Sequence, residues 1–405
     1  MRSGHFQWRG LLALRNSPVV RNALASTAAL ILGLSIGAVP ANAAPGSNPI
    51  GGEQLTGKGK IVTLGEGADP LPQVWAKTWV VANADTGEIL AAKGPHVLRA
   101  PASTLKTLTA LTLIPQLDPS TLIKAKKRAV NTYGTTVGLI RGRDYTANDL
   151  FYALLLPSAN DAAMALAQGA GSVKTTLAQM NEVADSLGAL DTVAKNPSGL
   201  DAPGQVSSAY DLATIGRSAL ALPYFREVVA TTKHEFANKK KSKTIYTQNR
   251  MLLGDFKGTI GLKTGYTTNA GRTFIGAAER KGTTYIVSLM GIKEASSTAA
   301  EKLLTWAFAN GDKVTPIGVL GQNTLPAASL DSIATSNVDS PANAVITSQP
   351  TSTTTAGSGL DGLAIGWMIL FAAIVAFILY GVRSAFTQRK NRGRVTGKGK
   401  ITLEG

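Results

Sequence analysis

Residues 259–290 read TIGLKTGYTTNAGRTFIGAAERKGTTYIVSLM, and the expected architecture starts from this pattern. Three runs rich in β-branched and aromatic residues, at 259–264, 272–278 and 284–290, are separated by the turn signals Asn-Ala-Gly and Lys-Gly. Such runs predict β-strands, and the short turns between them predict antiparallel neighbours. We therefore expect three consecutive antiparallel strands late in the chain.

A second group of strands is predicted much earlier in the chain. Residues 76–84 and 88–93 flank the turn Asp85-Thr86-Gly87, which is a hairpin pattern. Between the two strand regions the periodicity is helical, and helices are expected at 103–114, 150–156, 161–169, 175–187 and 209–220, with a last one at 295–310. Strands from both ends and helices from the middle predict an α+β fold, with a five-stranded antiparallel sheet packed with helices and a mainly helical lobe.

The composition excludes several kinds of active site. The chain of 405 residues has no cysteine and only three histidines, His5, His96 and His234. Without thiols there is no disulfide, no Cys-ligated metal and no cysteine nucleophile. Histidines so far apart do not form the local clusters typical of zinc hydrolases, so we expect no metal and no cofactor. The site must depend on Ser, Thr, Lys or carboxylates.

The net charge of +16 is concentrated at the two ends of the chain. Residues 1–43 carry +4, an apolar run at 23–39 and a small-residue site at 41–43, which predict a secretory signal peptide, with an uncleaved anchor as the alternative. Residues 363–382 are uncharged and are followed by a tail of charge +6, which predicts a transmembrane helix with a cytoplasmic tail, with a buried soluble helix as the alternative. The +6 that remains gives no reason to expect nucleic-acid binding.

These features divide the chain into six expected segments. They are a signal peptide at 1–43, an N-terminal extension at 44–69, the folded domain at 70–321, a Ser/Thr/Pro-rich linker at 322–362, a transmembrane helix at 363–382 and a basic tail at 383–405. We expect a single-pass protein of the cell membrane whose folded domain lies on the extracellular side. The sequence does not indicate an oligomeric state.

A serine and a lysine stand three residues apart at the start of a predicted helix. Ser103-Thr104-Leu105-Lys106 follows Pro101-Ala102. Residues three apart share a helix face with Cβ atoms about 5 to 6 Å apart, so Lys106 can reach the Ser103 hydroxyl. The positive helix N-terminus, burial and a second cation would favour a neutral Lys106 amine that accepts the serine proton. A single Ser-x-x-Lys also arises by chance in a chain of this length.

A second polar motif, Ser158-Ala159-Asn160, follows a predicted apolar helix that Pro157 ends. A loop at this position places a hydroxyl and an amide beside a cleft. Alternatively, Ser158, Asn160 or Asp161 caps the next helix.

The third motif, Lys263-Thr264-Gly265, ends a predicted strand. Lys263 supplies positive charge, Thr264 can hydrogen-bond a carboxylate, and Gly265 lets the backbone approach a ligand. A surface turn is the alternative.

The order of the three motifs, Ser-x-x-Lys, Ser-x-Asn and Lys-Thr-Gly, is that of serine acyl enzymes. The chain therefore resembles the penicillin-recognising serine enzymes and, among them, the D-alanyl-D-alanine carboxypeptidases, or low-molecular-mass penicillin-binding proteins. The sequences PSANDAA at 157–163, NPSGLD at 196–201 and GLKTGYTTNAG at 261–271 support the narrower resemblance, which covers about residues 70–310. It implies a fold like that of β-lactamases and penicillin-binding proteins.

The resemblance implies a role for each motif residue. Ser103 would be the nucleophile and Lys106 its base. Ser158 with Lys263 would relay a proton to the leaving amine, and Asn160 would orient the substrate amide and Lys106.

It also implies how the substrate would be held. The backbone N–H groups of Ser103 and Tyr266 would form the oxyanion hole, beside Gly265. Thr264 and Arg250 would bind the terminal carboxylate of the substrate. Tyr266 stands where many relatives carry histidine, which removes a titratable group but keeps the backbone donor.

The implied activity is removal of the terminal D-alanine from peptidoglycan stem pentapeptides through an acyl-enzyme on Ser103. The implied partners are stem peptides, β-lactams that acylate the same serine, and the membrane. A transpeptidase, a β-lactamase-like enzyme and a non-catalytic wall-binding protein are the alternatives. A class A β-lactamase needs a deacylating glutamate, and Glu182, Glu227 and Glu235 do not stand in a Glu-x-x-x-Asn context.

Overall fold

The computed structural model describes residues 50–238 and 241–321. The predicted signal peptide, linker, transmembrane helix and basic tail all lie outside these residues. Within them, every helix is too short or too polar to cross a membrane.

Most of the strands belong to one antiparallel sheet. The strands of the described residues are β1 (Lys60–Leu64), β2 (Thr78–Asn83), β3 (Glu88–Lys93), β4 (Leu122–Lys124), β5 (Asp144–Thr146), β6 (Lys233–Asn238), β7 (Lys241–Tyr246), β8 (Thr259–Thr267), β9 (Gly271–Arg280), β10 (Thr283–Ile292), β11 (Val314–Thr315) and β12 (Gly318–Val319). Eight of them form a sheet in the order β11-β1-β3-β2-β10-β9-β8, with β12 also paired to β3. The pairs β4 with β5 and β6 with β7 are separate two-stranded sheets.

The helices lie mostly in the middle of the chain, as the periodicity predicts. Those of the described residues are α1 (Lys106–Leu113), α2 (Lys127–Val130), α3 (Ala147–Leu155), α4 (Asn160–Gly169), α5 (Val173–Ser186), α6 (Ala209–Leu220), α7 (Pro223–Ala230), α8 (Arg250–Leu253) and α9 (Ser296–Asn310). A short 3-10 turn, Ala102–Leu105, leads directly into α1. The longer predicted helices therefore agree with the structure to within a few residues.

The prediction of five strands is wrong for the sheet as a whole. The five predicted strands are present as β2, β3, β8, β9 and β10, and the sheet adds β1, β11 and β12. Two of the added strands, β11 and β12, have only two residues each, which is too short for a strand pattern in the sequence. Strand β1 exposes three of its five residues, so it lacks the alternation of buried and exposed residues that predicts a strand. Because β1 lies within residues 44–69, the sheet includes part of the segment that was expected to be an extension.

Helices cover both faces of the sheet. Successive residues of a strand point to opposite faces, and the central strand β2 illustrates this. Trp79 and Val81 belong to the same apolar cluster as Trp306 of α9, whereas Val80 and Ala82 belong to the cluster on the other face, where α6 packs against β2. The sheet is therefore a buried central layer, which agrees with the predicted α+β class.

The functional motifs meet beside one edge of this layer. Strand β8 is the last strand in the sheet order, and the 3-10 turn Ala102–Leu105 packs against it. All residues of α1 are buried, and α1 packs against α4 as well as α6. The start of α1, the start of α4 and the strand β8 therefore converge.

Candidate active site

The turn that carries Ser103 is closely packed by a glycine from another part of the chain. Ala102, the preceding residue, has φ +50°, in the left-handed region that is costly for residues other than glycine. Gly199, with φ +81°, lies so close that a Cβ atom there would overlap the carbonyl oxygen of Ala102. Both the conformation and the space at this position require glycine, so the loop around Gly199 holds the turn in place.

Lys106 is completely buried and its amine is surrounded by oxygen atoms. Its Nζ lies 3.0 Å from Ser103 Oγ, and it donates to Asn160 Oδ1 at 2.7 Å and to the carbonyl oxygen of Ser198 at 2.6 Å. These acceptors come from the 3-10 turn, from α4 and from the loop after α5. The amine is therefore fixed within reach of the Ser103 hydroxyl.

Burial and a neighbouring charge favour the neutral form of Lys106. Burial is the larger cause, and the charge of Lys263 is the second cause, of a Lys106 pKa well below its usual range. Asp161 acts in the opposite direction. Burial also lowers the pKa of Lys263 to about 7. A neutral amine beside a serine hydroxyl can accept its proton.

Ser158 and Asn160 do not cap the helix that follows them. Helix α4 begins at Asn160, and of the three capping candidates only Asp161 contacts its backbone, because Asp161 Oδ1 accepts from the Ala162 N–H at 3.0 Å. Ser158 has φ +68°, and its buried hydroxyl has no hydrogen-bond partner among the described residues. Asn160 Nδ2 donates to the carbonyl oxygen of Tyr133 at 2.9 Å, which directs Oδ1 towards Lys106. A strained serine with an unpaired hydroxyl is typical of a functional site.

Strand β8 brings the Lys-Thr-Gly motif against the same turn. A Cβ atom at Gly265 would overlap Thr273 Oγ1 and lie 2.8 Å from the backbone nitrogen of Ser103, so only glycine fits. Thr273 Oγ1 donates to the carbonyl oxygen of Pro101 at 2.8 Å, which ties β9 to the turn. Tyr266 is 66% exposed. The backbones of Ser103 and of the Gly265–Tyr266 segment therefore lie side by side.

A cleft of about 430 Å³ opens above these groups. Six of the nine predicted site residues line it, namely Ser103, Ser158, Arg250, Thr264, Gly265 and Tyr266. The other three, Lys106, Asn160 and Lys263, are buried and do not line it. The sequence-predicted residues therefore form one site with an exposed and a buried part.

Several residues of the cleft were not predicted from the sequence. They include Thr135, Gln248, Arg272, Phe274 and residues 295–297. Arg272 faces Tyr266 in the register of β8 and β9, so a second arginine joins Arg250 in the cleft. Among the described residues no carboxylate lines the cleft, which gives it a positive character suited to an anionic substrate. The sequence signal that could have identified Arg272 is its position directly after the turn that follows Lys-Thr-Gly, because a hairpin there places it opposite that motif.

Comparison with known sequences agrees with this geometry. A family model described as D-alanyl-D-alanine carboxypeptidase matches residues 66–294. The chain is 40% identical over 250 residues to the D-alanyl-D-alanine carboxypeptidase DacB2 of Mycobacterium tuberculosis, which covers 60% of this chain and 86% of that protein. It is 33% identical over 257 residues to the D-alanyl-D-alanine carboxypeptidase DacD of Escherichia coli, covering 59% of this chain but only 64% of that protein.

Solved structures with the same architecture are also found. The structure of a D-alanyl-D-alanine carboxypeptidase from Mycobacterium tuberculosis matches with a TM-score of 0.61 and 38% identity, over 64% of this chain and 99% of that chain. A variant of a Streptomyces DD-transpeptidase matches with a TM-score of 0.56 and 29% identity, over 59% and 99% of the two chains. The expected fold, similar to those of β-lactamases and penicillin-binding proteins, is confirmed for the described residues.

Proposed function

The chain belongs to the D-alanyl-D-alanine carboxypeptidase family, and from this premise we propose that it removes the terminal D-alanine of peptidoglycan stem pentapeptides through an acyl-enzyme on Ser103. The observation that carries the residue assignment is the buried Lys106 amine, 3.0 Å from Ser103 Oγ. Serine needs an adjacent base to become a nucleophile at neutral pH, and a lysine with a lowered pKa meets that need.

Acylation begins when Ser103 Oγ attacks the carbonyl carbon of the penultimate D-alanine. The hydroxyl proton passes to Lys106 Nζ as the new C–O bond forms. Collapse of the tetrahedral intermediate breaks the C–N bond, and the proton is delivered to the leaving amine. The unpaired Ser158 hydroxyl, on the wall of the cleft, is suited to carry it.

The developing negative charge on the carbonyl oxygen needs hydrogen-bond donors. The backbone N–H groups of Ser103 and Tyr266 are the candidates, because Gly265 lets strand β8 approach the nucleophile turn. One donor of this kind contributes about 3 to 4 kcal/mol of transition-state stabilisation in comparable enzymes. The terminal carboxylate of the peptide would bind beside Thr264 and Arg250, which line the cleft.

Water completes the reaction by attacking the ester carbonyl of the acyl-enzyme while Lys106 accepts a proton from it. The bond between Ser103 Oγ and the acyl carbon then breaks, and Lys106 returns the proton to Ser103 Oγ. Penicillin, whose lactam carbonyl reacts in the same way, acylates Ser103. A β-lactamase-like reaction is disfavoured, because a class A enzyme deacylates through a glutamate and no carboxylate lines the cleft among the described residues.

A transpeptidase is the second candidate function. It is favoured by the similarity to the solved DD-transpeptidase from Streptomyces, which shares the fold and 29% of the aligned residues. Such an enzyme forms the same acyl intermediate and transfers it to an amine. Adding glycine or D-amino acids to the reaction distinguishes a transpeptidase from a carboxypeptidase. A transpeptidase joins the peptide to the added amino acid and releases correspondingly less of the peptide that has been hydrolysed by water.

We also propose that the protein is held at the cell membrane by residues 363–382, with its catalytic domain outside the cell. The uncharged span and the basic residues that follow it support this proposal. Protease added to intact cells should remove the catalytic domain and spare the tail. Full protection of the domain would contradict the proposed orientation.

The nucleophile is tested with the full-length chain, a pentapeptide ending in D-Ala-D-Ala, and a fluorescent penicillin. The wild-type protein should release free D-alanine and become labelled, and Ser103→Ala should do neither. Ser297→Ala is the matched control, because Ser297 lines the same cleft outside the three motifs. Labelling that persists in Ser103→Ala would show that another residue is acylated.

A further inference from the structure

A second group of polar side chains lies outside the cleft and takes no part in the proposed reaction. It consists of His96, Asp191 and Asp211, and one ligand atom of each lies within 4.8 Å of the others. In the part of the chain that the structure describes, no other group of three or more His, Asp or Glu residues has this arrangement.

His96 is held by acceptors at both ring nitrogens. Its Nε2 lies 3.1 Å from the carbonyl oxygen of Ile50, and its Nδ1 lies 2.7 Å from Asp191 Oδ2. A carbonyl oxygen only accepts, so Nε2 carries a hydrogen. Two states of Nδ1 are then compatible with the nearby carboxylate of Asp191. In a protonated ring, Nδ1–H donates to the carboxylate. In a neutral ring, the Nδ1 lone pair and the carboxylate can both bind a cation. The ring of Tyr210, 4.6 Å away between centroids, stacks obliquely on the imidazole.

Asp211 contributes a buried oxygen atom that lacks a partner. The residue is 1% exposed, and its Oδ2 accepts from Thr192 Oγ1 at 2.6 Å. Its Oδ1 has no hydrogen-bond partner among the described residues. Asp191 pairs with His96 when that ring is protonated, and within the same ranges neither Asp191 nor Asp211 forms an ion pair with a lysine or an arginine. A buried carboxylate without a compensating charge is costly, and a bound cation would supply that charge.

We propose that His96, Asp191 and Asp211 bind a divalent transition-metal ion, with Zn²⁺ as the expected occupant. The ligands would be His96 Nδ1 and one oxygen of each carboxylate. Water is suited to the fourth position, because the His96 and Asp191 side chains remain 22% and 25% exposed. A mixed imidazole and carboxylate set suits Zn²⁺, with bonds of about 2.0 to 2.2 Å.

The surroundings match those of known metal ligands in two respects. A metal-binding histidine commonly donates its other ring N–H to a carbonyl group, as His96 Nε2 does to Ile50. Two carboxylates also balance the two positive charges of the ion. Coordination would require His96 Nδ1 and Asp191 Oδ2 to separate by several tenths of an ångström, since both would bind the same ion at about 2.1 Å.

The position of the site indicates a structural role. Thr192, next to Asp191, contacts Ser207 Oγ at 2.9 Å, and the strand-like pairs Val193 with Val206 and Arg99 with Ser207 close a loop at this point. That loop carries the Ser198 carbonyl that binds Lys106 and the glycine that packs on the nucleophile turn. His96 stands in the segment that leads to Ser103. An ion here would therefore join the two segments that shape the catalytic turn.

Zinc binding is tested on the full-length chain after dialysis against a chelator. We expect about one Zn²⁺ bound per chain, measured by elemental analysis, together with a rise in the melting temperature. His96→Gln and Asp211→Asn should weaken binding at least about tenfold. His234→Gln is the matched control, because His234 Nε2 contacts Asp149 Oδ1 at 2.8 Å but belongs to no such three-residue group in the described ranges.

The results that would overturn the site are well defined. Equal Zn²⁺ binding by the wild type, His96→Gln and Asp211→Asn contradicts it, as does a melting-temperature rise that Mg²⁺ reproduces. Asp191→Asn is a further variant for the case in which His96→Gln or Asp211→Asn fails to fold. If Asp191→Asn binds as much Zn²⁺ as the wild type, the site is again refuted. Metal content is measured independently of D-alanine release, so the outcome does not depend on the proposed function.

Discussion

Two lysines lie under the same cleft, in different surroundings. Lys106 and Lys263 are 0% and 1% exposed. Lys106, at the start of α1, contacts three oxygen atoms from three parts of the chain. Lys263, in strand β8, donates to the neighbouring carbonyl oxygen of Thr264 at 2.8 Å. The difference fits the proposed role of Lys106 in proton transfer, whereas Lys263, which a pKa of about 7 leaves about half charged at neutral pH, would act on Lys106 through that charge.

The pKa shifts agree with this division of labour. The pKa of Lys106 is lowered by burial and further by the charge of Lys263, whereas burial alone lowers the pKa of Lys263 to about 7. A cation close to a buried amine makes that amine harder to protonate. In the proposed reaction Lys263 therefore helps to prepare Lys106 as a base, and the changes below test the two lysines and then the wall of the cleft above them.

Lys106→Arg should have the largest effect, with penicillin acylation slowed about 10³-fold or more. Arginine keeps the positive charge but does not lose its proton, so it cannot accept the proton of Ser103. The acylation rate is measured with fluorescent penicillin. Lys263→Arg is the matched control and should lose much less activity. Equal losses in the two variants would contradict different roles for the two lysines.

Lys263→Gln should slow acylation about tenfold at neutral pH, where a pKa of about 7 leaves Lys263 about half charged. Without the second cation, the pKa of Lys106 rises and a smaller fraction of its amine is neutral. The acylation rate should therefore reach its plateau at a higher pH than in the wild type. The pH dependence of labelling measures this shift, and a profile that moves to lower pH would argue against charge coupling.

Lys263 should also make the free energy of unfolding depend on pH. Its folded-state pKa is about 7 and its unfolded-state value 10.5, so between these values the unfolded chain binds more protons. Stability should then increase as the pH rises through this window, by up to about 1.4 kcal/mol per pH unit. Urea unfolding at pH 7 and pH 9 measures the gain. Lys263→Met should show a smaller gain than the wild type.

Arg272→Gln should have the smallest effect, a rise of about threefold to tenfold in KM for the peptide with kcat nearly unchanged. Arg272 is exposed on the wall of the cleft, so it can attract a carboxylate without contacting the reacting atoms. Arg226→Gln, at an exposed arginine that pairs with Glu279 instead, should leave KM unchanged. A decrease in kcat without a rise in KM for Arg272→Gln would contradict a role of Arg272 in binding the peptide.

The residues also show which parts of the site are predictable from the sequence. The contact between Lys106 and Ser103 was predicted because residues three apart on one helical turn must meet. The contacts of Lys106 with Asn160 and with Ser198 join residues that are 54 and 92 positions apart. The first was expected only from the family resemblance. The second was missed, because the acceptor is a backbone carbonyl that any residue type offers.

The limits of fold prediction have a similar physical cause. Strands β8, β9 and β10 have nine or ten residues each and many buried side chains, so their pattern is clear in the sequence. Strands β11 and β12 have two residues each, and tertiary pairing at the sheet edge, rather than local preference, determines them. Arg272 was missed because its role depends on the register of two paired strands.

The two glycines around Ser103 also restrict how this enzyme can evolve under antibiotic selection. Gly199 and Gly265 approach the turn of Ser103 from a loop and from a strand, and a methyl group at either position would collide with that turn. A substitution at these glycines would disturb the natural reaction together with the drug reaction. We therefore expect variants that distinguish a drug from a stem peptide at the rim of the cleft, where Tyr266 and Arg272 are exposed.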